Sequence, residues 1–108
     1  MDDWKQVEFC FFSKIEKCVA EFHIIDGLQK TPYGKFKVKI FEGVNGEYSG
    51  VTDIAVRDIE GGNFRNGSGR GSSVADTLEK TLISFSALLS ERKEWKDSDF
   101  EWLQPEEF

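Results

Sequence analysis

The sequence predicts an α+β domain: a three- or four-stranded antiparallel sheet with one long C-terminal helix packed on one face, followed by an acidic aromatic tail. Residues 35–41 alternate strictly between lysine and apolar residues, and residues 74–93 repeat apolar residues at helical spacing. Most of the net charge lies in the last fifteen residues. The 108 residues suffice for one hydrophobic core and not for two, so we assign residues 1–93 to a single domain and residues 94–108 to an extension packed on or beside it.

The first predicted strand covers residues 18–25, which are rich in strand-forming residues. The turn-forming residues 26–27 and 31–34 follow it and allow it to pair with the next strand. A helix over residues 11–23 is the alternative, because its apolar residues would share one side and Ser13 with Glu16 matches a capping box.

The clearest strand is residues 35–41, because its apolar side chains point to one face while Lys35, Lys37 and Lys39 point to the other. The next strand covers residues 48–59. One face of this sheet is therefore predicted to be core and the other solvent-exposed.

Asn45-Gly46 between these two strands predicts a hairpin. A two-residue turn would mix polar and apolar residues on both faces of the sheet. We therefore predict a three-residue loop at residues 45–47 with a bulge. The resulting cross-strand pairs are Val38 with Ile54, Phe36 with Val56, and Lys39 with Asp53.

The helix is predicted from Val74 to about Lys93. Ser73 supplies an N-terminal cap and Asp76 an acid in the first turn, while Arg92 and Lys93 place cations at the C-terminal end. The glycine-rich residues 61–73 before the helix are predicted to be a flexible connection.

The acidity of the chain is a local feature. Six acidic residues and one lysine lie in residues 94–108, so that segment holds nearly all of the net charge of −6. In a purely structural interpretation, the aromatic residues complete the core while the acids stay outside. In a functional interpretation, the acids and the aromatic residues bind a basic protein partner. Both can hold together. The candidate partner-binding residues are Trp95, Asp97, Asp99, Phe100, Glu101, Trp102, Glu106 and Glu107.

A second candidate site would bind nucleic acid or a phosphate ligand. Its residues are the lysine row, with two arginines from the glycine-rich segment before the helix: Lys35, Lys37, Lys39, Arg65 and Arg70. The net charge of −6 and an isoelectric point near 4.8 disfavour nucleic acid as a partner, because the chain would be repelled at long range.

The sequence contains no catalytic constellation. His23 is the single histidine, and Cys10 and Cys18 lack the paired spacing of a zinc site, so we predict no enzyme, no metal and no cofactor. The two cysteines could form one disulfide, but in a cytoplasmic chain they are predicted to be reduced, half-buried thiols. No apolar run is long enough to span a bilayer, and the N-terminus begins with acids where a secretory signal carries lysines. The oligomeric state stays open.

Residues 67–75, Gly-Ser-Gly-Arg-Gly-Ser-Ser-Val-Ala, follow three predicted strands and lead into the helix. This order resembles the second half of a double-stranded-RNA-binding domain, and it is also similar to the antitoxin fold of toxin–antitoxin systems. In the RNA-binding family, lysines at the start of this helix contact phosphates. Asp76 stands there in this chain, so the resemblance implies topology rather than RNA binding.

In general character the chain resembles bacterial immunity proteins that neutralise toxin nucleases and phage-encoded inhibitors of host nucleases. It is small, acidic and without a catalytic set. The resemblance implies stoichiometric inhibition of a basic toxin or nuclease, with the acids occupying a cationic groove. The alternatives are the nucleic-acid module described above and a small phage or bacterial accessory component.

Overall fold

A computed structural model describes residues 3–8, 12, 14–28, 30–91 and 93–104. In these residues five strands form one antiparallel sheet and one α-helix packs on it, which confirms the predicted fold class. The elements are β1 (Glu16–Ile25), β2 (Lys35–Gly43), β3 (Tyr48–Arg57), β4 (Phe64–Gly71), α1 (Val74–Leu89) and β5 (Phe100–Trp102). The strand order is β1-β2-β3-β4, with β5 paired to β3.

β1 and β2 form the first hairpin, which confirms the strand and rules out the alternative helix from Glu16 onward. Phe22 lies opposite Val38 and Ile24 opposite Phe36, on the face that becomes the core. A bulge between Cys18 and Ala20 interrupts the pairing near the start of β1.

The β2–β3 hairpin has a three-residue loop, as predicted, but the loop lies one residue earlier than predicted and the predicted register is wrong by two residues. The loop is residues 44–46: the amide of Gly46 bonds the carbonyl of Gly43, and Gly46 adopts a left-handed φ of 81°. Val38 therefore pairs with Thr52. Where β2 was predicted to pair, Ile54 and Val56 pair instead with β5, which local alternation did not reveal.

Residues 64–71 are strand β4, so the prediction of a flexible connection over residues 61–73 is wrong. The glycines on the inner face of β4 let α1 lie directly on the strand. A Cβ atom at Gly69 would lie 2.7 Å from the backbone nitrogen of Thr81 in the helix. These glycines therefore serve close packing between strand and helix rather than flexibility.

The helix starts where predicted, since the Ser73 side chain accepts a hydrogen bond from the Asp76 amide. It ends at Leu89, four residues before the predicted end, so Lys93 lies outside the last turn and Arg92 lies outside the described residues. Trp95 donates its indole N–H to the carbonyl of Leu89 at 2.9 Å. This bond satisfies a carbonyl that a helix end leaves without an internal partner.

The core lies between α1 and the inner face of the sheet. The fully buried side chains on the strands include Val38, Ile40, Ile54 and Val56, and Phe85 covers them from the helix. Phe36 and Phe85 contact each other with ring centroids 5.0 Å apart. The opposite face of the sheet carries the lysine row.

Candidate functional site: an acidic aromatic surface

The acidic aromatic surface comprises residues 94–102 and the turn at residues 31–34. Strand β5 forms its centre. Phe100 and Trp102 lie opposite Val56 and Ile54, and both aromatic side chains pack against the core. Glu101 lies between them, opposite Ala55, and is exposed. Alternation along the strand thus anchors two aromatic residues and presents one carboxylate.

Asp99 and Asp97 differ in environment although they are two residues apart. Asp99 is only 9% exposed: its carboxylate accepts a hydrogen bond from the Lys96 amide at 3.0 Å and lies 3.9 Å from the Arg57 guanidinium. Asp97 is exposed. Asp99 therefore holds the turn before β5, whereas Asp97 and Glu101 are accessible to a partner.

Three other residues were predicted to belong to this surface: Trp95, Glu106 and Glu107. Trp95 is half-buried and contacts Phe100, with ring centroids 5.9 Å apart, so it helps to hold the segment against the domain. Glu106 and Glu107 lie outside the described residues.

Tyr33 joins this surface, and sequence reasoning missed it. The residue is 86% exposed, and its ring stacks on Trp102 with centroids 6.3 Å apart. Its backbone is left-handed, with φ 64° and ψ 0°, and the amide of Gly34 bonds the carbonyl of Thr31 at 3.1 Å. This geometry is position i+2 of a type II turn, which favours glycine or asparagine. The signal in the sequence was a tyrosine standing after Pro32 where such a turn expects glycine.

The Asp26 carboxylate fixes the turn that presents Tyr33. It accepts hydrogen bonds from the backbone amide of Thr31 at 2.7 Å and from the Thr31 hydroxyl at 3.0 Å, and Thr31 is buried. The Asp26 amide in turn donates to the carbonyl of Gly34 at 2.7 Å. Tyr33 is therefore an exposed side chain on an ordered turn.

A cleft of about 300 Å³ opens between this turn and β5. Its lining residues are Pro32, Tyr33, Asp97, Phe100 and Trp102. Three aromatic side chains and one carboxylate thus meet in a single concave surface, formed by segments about sixty residues apart in the chain.

A second pocket, of about 310 Å³, lies next to it and shares Tyr33 and Trp102. It adds His23, Lys35 and Lys37 from the open face of the sheet, together with Asp53. The two pockets differ in charge, because Asp97 is the charged residue that lines the first, whereas two lysines outnumber one acid in the second.

The lysine row lies on the open sheet face, as the alternation predicted, but acids are interleaved with it. Glu21 lies directly opposite Lys39, and the Asp53 carboxylate accepts a hydrogen bond from the Lys37 amide. Carboxylates beside the lysines weaken the attraction that phosphates would feel.

Arg65 and Arg70 do not converge on one anion site. Arg65 lies opposite Val56 and Arg70 opposite Ser49, near the two ends of β4, which places them on the order of 16 Å apart along the strand. At the start of α1 the chain satisfies its own amides, because the carboxylate of Asp76 accepts a hydrogen bond from the Ser72 amide at 3.1 Å. That bond, and the side-chain bond from Lys80, lower the pKa of Asp76. The glycine-rich segment therefore lacks the geometry of a phosphate cradle.

The remaining candidates for chemistry lie apart. His23 is exposed on β1 and Cys18 is an exposed free thiol, while Cys10 is not among the described residues. Within the described ranges, no group of histidine, cysteine and acidic residues has the arrangement of a metal site.

α1 has 16 residues, and none of the helices in the described part of the chain combines the length and hydrophobicity needed to cross a membrane. Comparison with known proteins gave no match to a family model, to a curated protein sequence or to a solved structure.

Proposed function

We propose that this protein is a non-enzymatic inhibitor of immunity type, which binds a basic toxin or nuclease through the acidic aromatic surface. One observation carries the proposal: Asp97 and Glu101 are exposed on a segment whose aromatic residues are anchored in the core. An anchored segment presents its charges without a large ordering cost when the partner binds.

The division of roles on this surface follows from burial. The exposed carboxylates attract a cationic groove at long range and speed association, while Tyr33 and Trp102 supply apolar contact that slows release. The proposal assigns no partner contact to Asp99, because it is buried beside Arg57.

The alternative function, a nucleic-acid or phosphate-binding module, has less support. It needs an uninterrupted basic face, whereas Glu21 and Asp53 accompany the lysine row, and Arg65 and Arg70 lie near opposite ends of β4. The third possibility, a small accessory component, does not predict a particular arrangement of residues on the surface.

The experiment compares three full-length proteins as baits in host or host–phage lysate: the wild type, the double variant Asp97→Asn/Glu101→Gln, and the control Glu47→Gln/Glu79→Gln. Both variants lose two exposed carboxylates, but Glu47 lies directly before β3 and Glu79 lies on the helix. Captured proteins are identified by mass spectrometry, and association rates are then measured with the purified partner at two ionic strengths.

We expect a basic partner whose association slows roughly three- to tenfold in the Asp97/Glu101 variant at low salt and is nearly unchanged in the control. The partner's own activity should be lost at one inhibitor per molecule. Equal association rates for the two double variants would contradict the proposal, and retention of nucleic acid in place of a protein would favour the alternative.

A further inference from the structure

We infer that the cleft between Tyr33, Phe100 and Trp102 binds an arginine side chain of the partner, with its guanidinium stacked on the aromatic rings beside the Asp97 carboxylate. The inference rests on the proposed function, because it names the side chain that the same surface recognises. It concerns the cleft alone and is testable without the partner.

The lining of the cleft selects for a planar cation. Three of its five residues are aromatic, and the Tyr33 and Trp102 rings are inclined by 29°. Aromatic faces attract cations, and a guanidinium also stacks on them as a flat group. Asp97 adds an acceptor to which a guanidinium can donate two parallel hydrogen bonds. The ammonium of lysine is compact and strongly hydrated, so it fits this lining less well.

The backbone at Tyr33 indicates that its side chain serves more than folding. A bulky residue with φ 64° occupies a sparsely populated conformation that costs free energy. Because Tyr33 is 86% exposed, burial in the core does not offset that cost. A ligand that covers the ring would account for tyrosine at a position where glycine or asparagine fits the turn better.

Charge decides which ligand enters. The cleft is lined by the exposed Asp97, whose carboxylate favours a cation. The neighbouring pocket across Tyr33 and Trp102 has one acid, Asp53, against Lys35 and Lys37, so a cation is favoured on the Asp97 side.

The test is an NMR titration of the full-length protein with a blocked Gly-Arg-Gly peptide. Matched peptides carry citrulline, which is neutral and nearly isosteric with arginine, or lysine. The Trp102 indole N–H signal is assigned with the Trp102→Phe variant. We expect the arginine peptide to shift the Trp102 and Tyr33 signals saturably, the lysine peptide to bind more weakly, and the citrulline peptide to leave them in place.

Two variants test the residues separately. Tyr33→Asn should weaken the arginine peptide about threefold and leave the urea unfolding midpoint equal or higher, because asparagine tolerates the left-handed backbone. Asp97→Asn, at an exposed position, should weaken it about twofold.

Equal shifts with the citrulline peptide, or no change in affinity for either variant, would overturn the inference. So would a lower unfolding midpoint for Tyr33→Asn, since the tyrosine would then serve the fold. If the arginine peptide fails to bind but the Asp97/Glu101 variant still slows partner association, the cleft inference fails and the proposed function stands. If the arginine peptide binds but no basic partner is captured, the cleft inference stands and the proposed function fails.

Discussion

The carboxylate of Asp53 accepts a hydrogen bond of 2.8 Å from the backbone amide of Lys37, just beyond the last paired residues of β2 and β3. The backbone carbonyl of Asp53 accepts a second bond of 2.8 Å, from the amide of Leu103. One residue therefore links β2, β3 and the segment that carries β5. This junction lies beside the proposed arginine cleft, because Asp53 and Trp102 line the same neighbouring pocket.

Replacing Asp53 with alanine should destabilise the fold by about 1–3 kcal/mol, because the Lys37 amide loses its partner in a half-buried position. Urea unfolding followed by tryptophan fluorescence measures the change. Asp53→Asn keeps an acceptor oxygen and should lose less stability. Equal unfolding free energies for the alanine variant and the wild type would show that the carboxylate is dispensable at the junction.

Replacing Gly69 with alanine should cost about 1–3 kcal/mol, because the new methyl group would meet the backbone of α1 at Thr81 and force the helix away from β4. Gly27→Ala is the matched control, since nothing lies within 4 Å of a Cβ atom there. Its unfolding free energy should stay within about 0.5 kcal/mol of the wild type. If both variants unfold at the same urea concentration, the close packing of α1 on β4 is wrong.

Asp76 should make the stability depend on pH in the acid range. Its pKa is lowered from the ordinary value of 3.8, chiefly by the hydrogen bond from the Ser72 amide. A carboxyl group whose pKa is lower in the folded than in the unfolded state stabilises the fold at pH values above its unfolded-state pKa. That contribution is lost as the pH falls through its folded-state pKa. The wild type should therefore exceed Asp76→Asn in stability above pH 3.8 and approach it below.

The same behaviour is expected of Asp58, whose pKa is lowered chiefly by the hydrogen bond from the Gly61 amide. Urea unfolding of each asparagine variant across the acid range tests both residues. A stability difference that stays constant with pH would argue against a titrating carboxylate as its cause.

A chain ending at Lys93 should lose about 3 kcal/mol or more of unfolding free energy. It lacks Trp95, Phe100 and Trp102, which pack on the core, and it leaves Ile54 and Val56 without β5. Glu101→Gln changes a charge in the same strand without removing packing and should unfold like the wild type. If the short chain is as stable as the wild type, β5 does not contribute to the stability of the fold. If it is less stable, truncation cannot be used to test function, and point variants are needed.

Local sequence patterns predicted the elements in which apolar residues recur at a regular spacing. The alternation at residues 35–41 and the helical spacing from Val74 both reappear in the structure. The candidate surface was also partly predictable, because charge concentrated in residues 94–108 is visible from composition. Composition did not distinguish buried Asp99 from exposed Asp97, because only contact with Arg57 and the Lys96 amide separates them.

The sequence by itself determined the α+β class, the inner and outer faces of β2, and the start of the helix at Ser73, since each depends on residues close together in the chain. The tertiary structure alone decided that the glycine-rich residues form β4, that β5 pairs with Ile54, and that Tyr33 meets Trp102. These features depend on which distant segments pack together. A glycine-rich segment is typical of a loop unless a helix packs closely against it, and this cleft forms only where the turn at residues 31–34 meets β5.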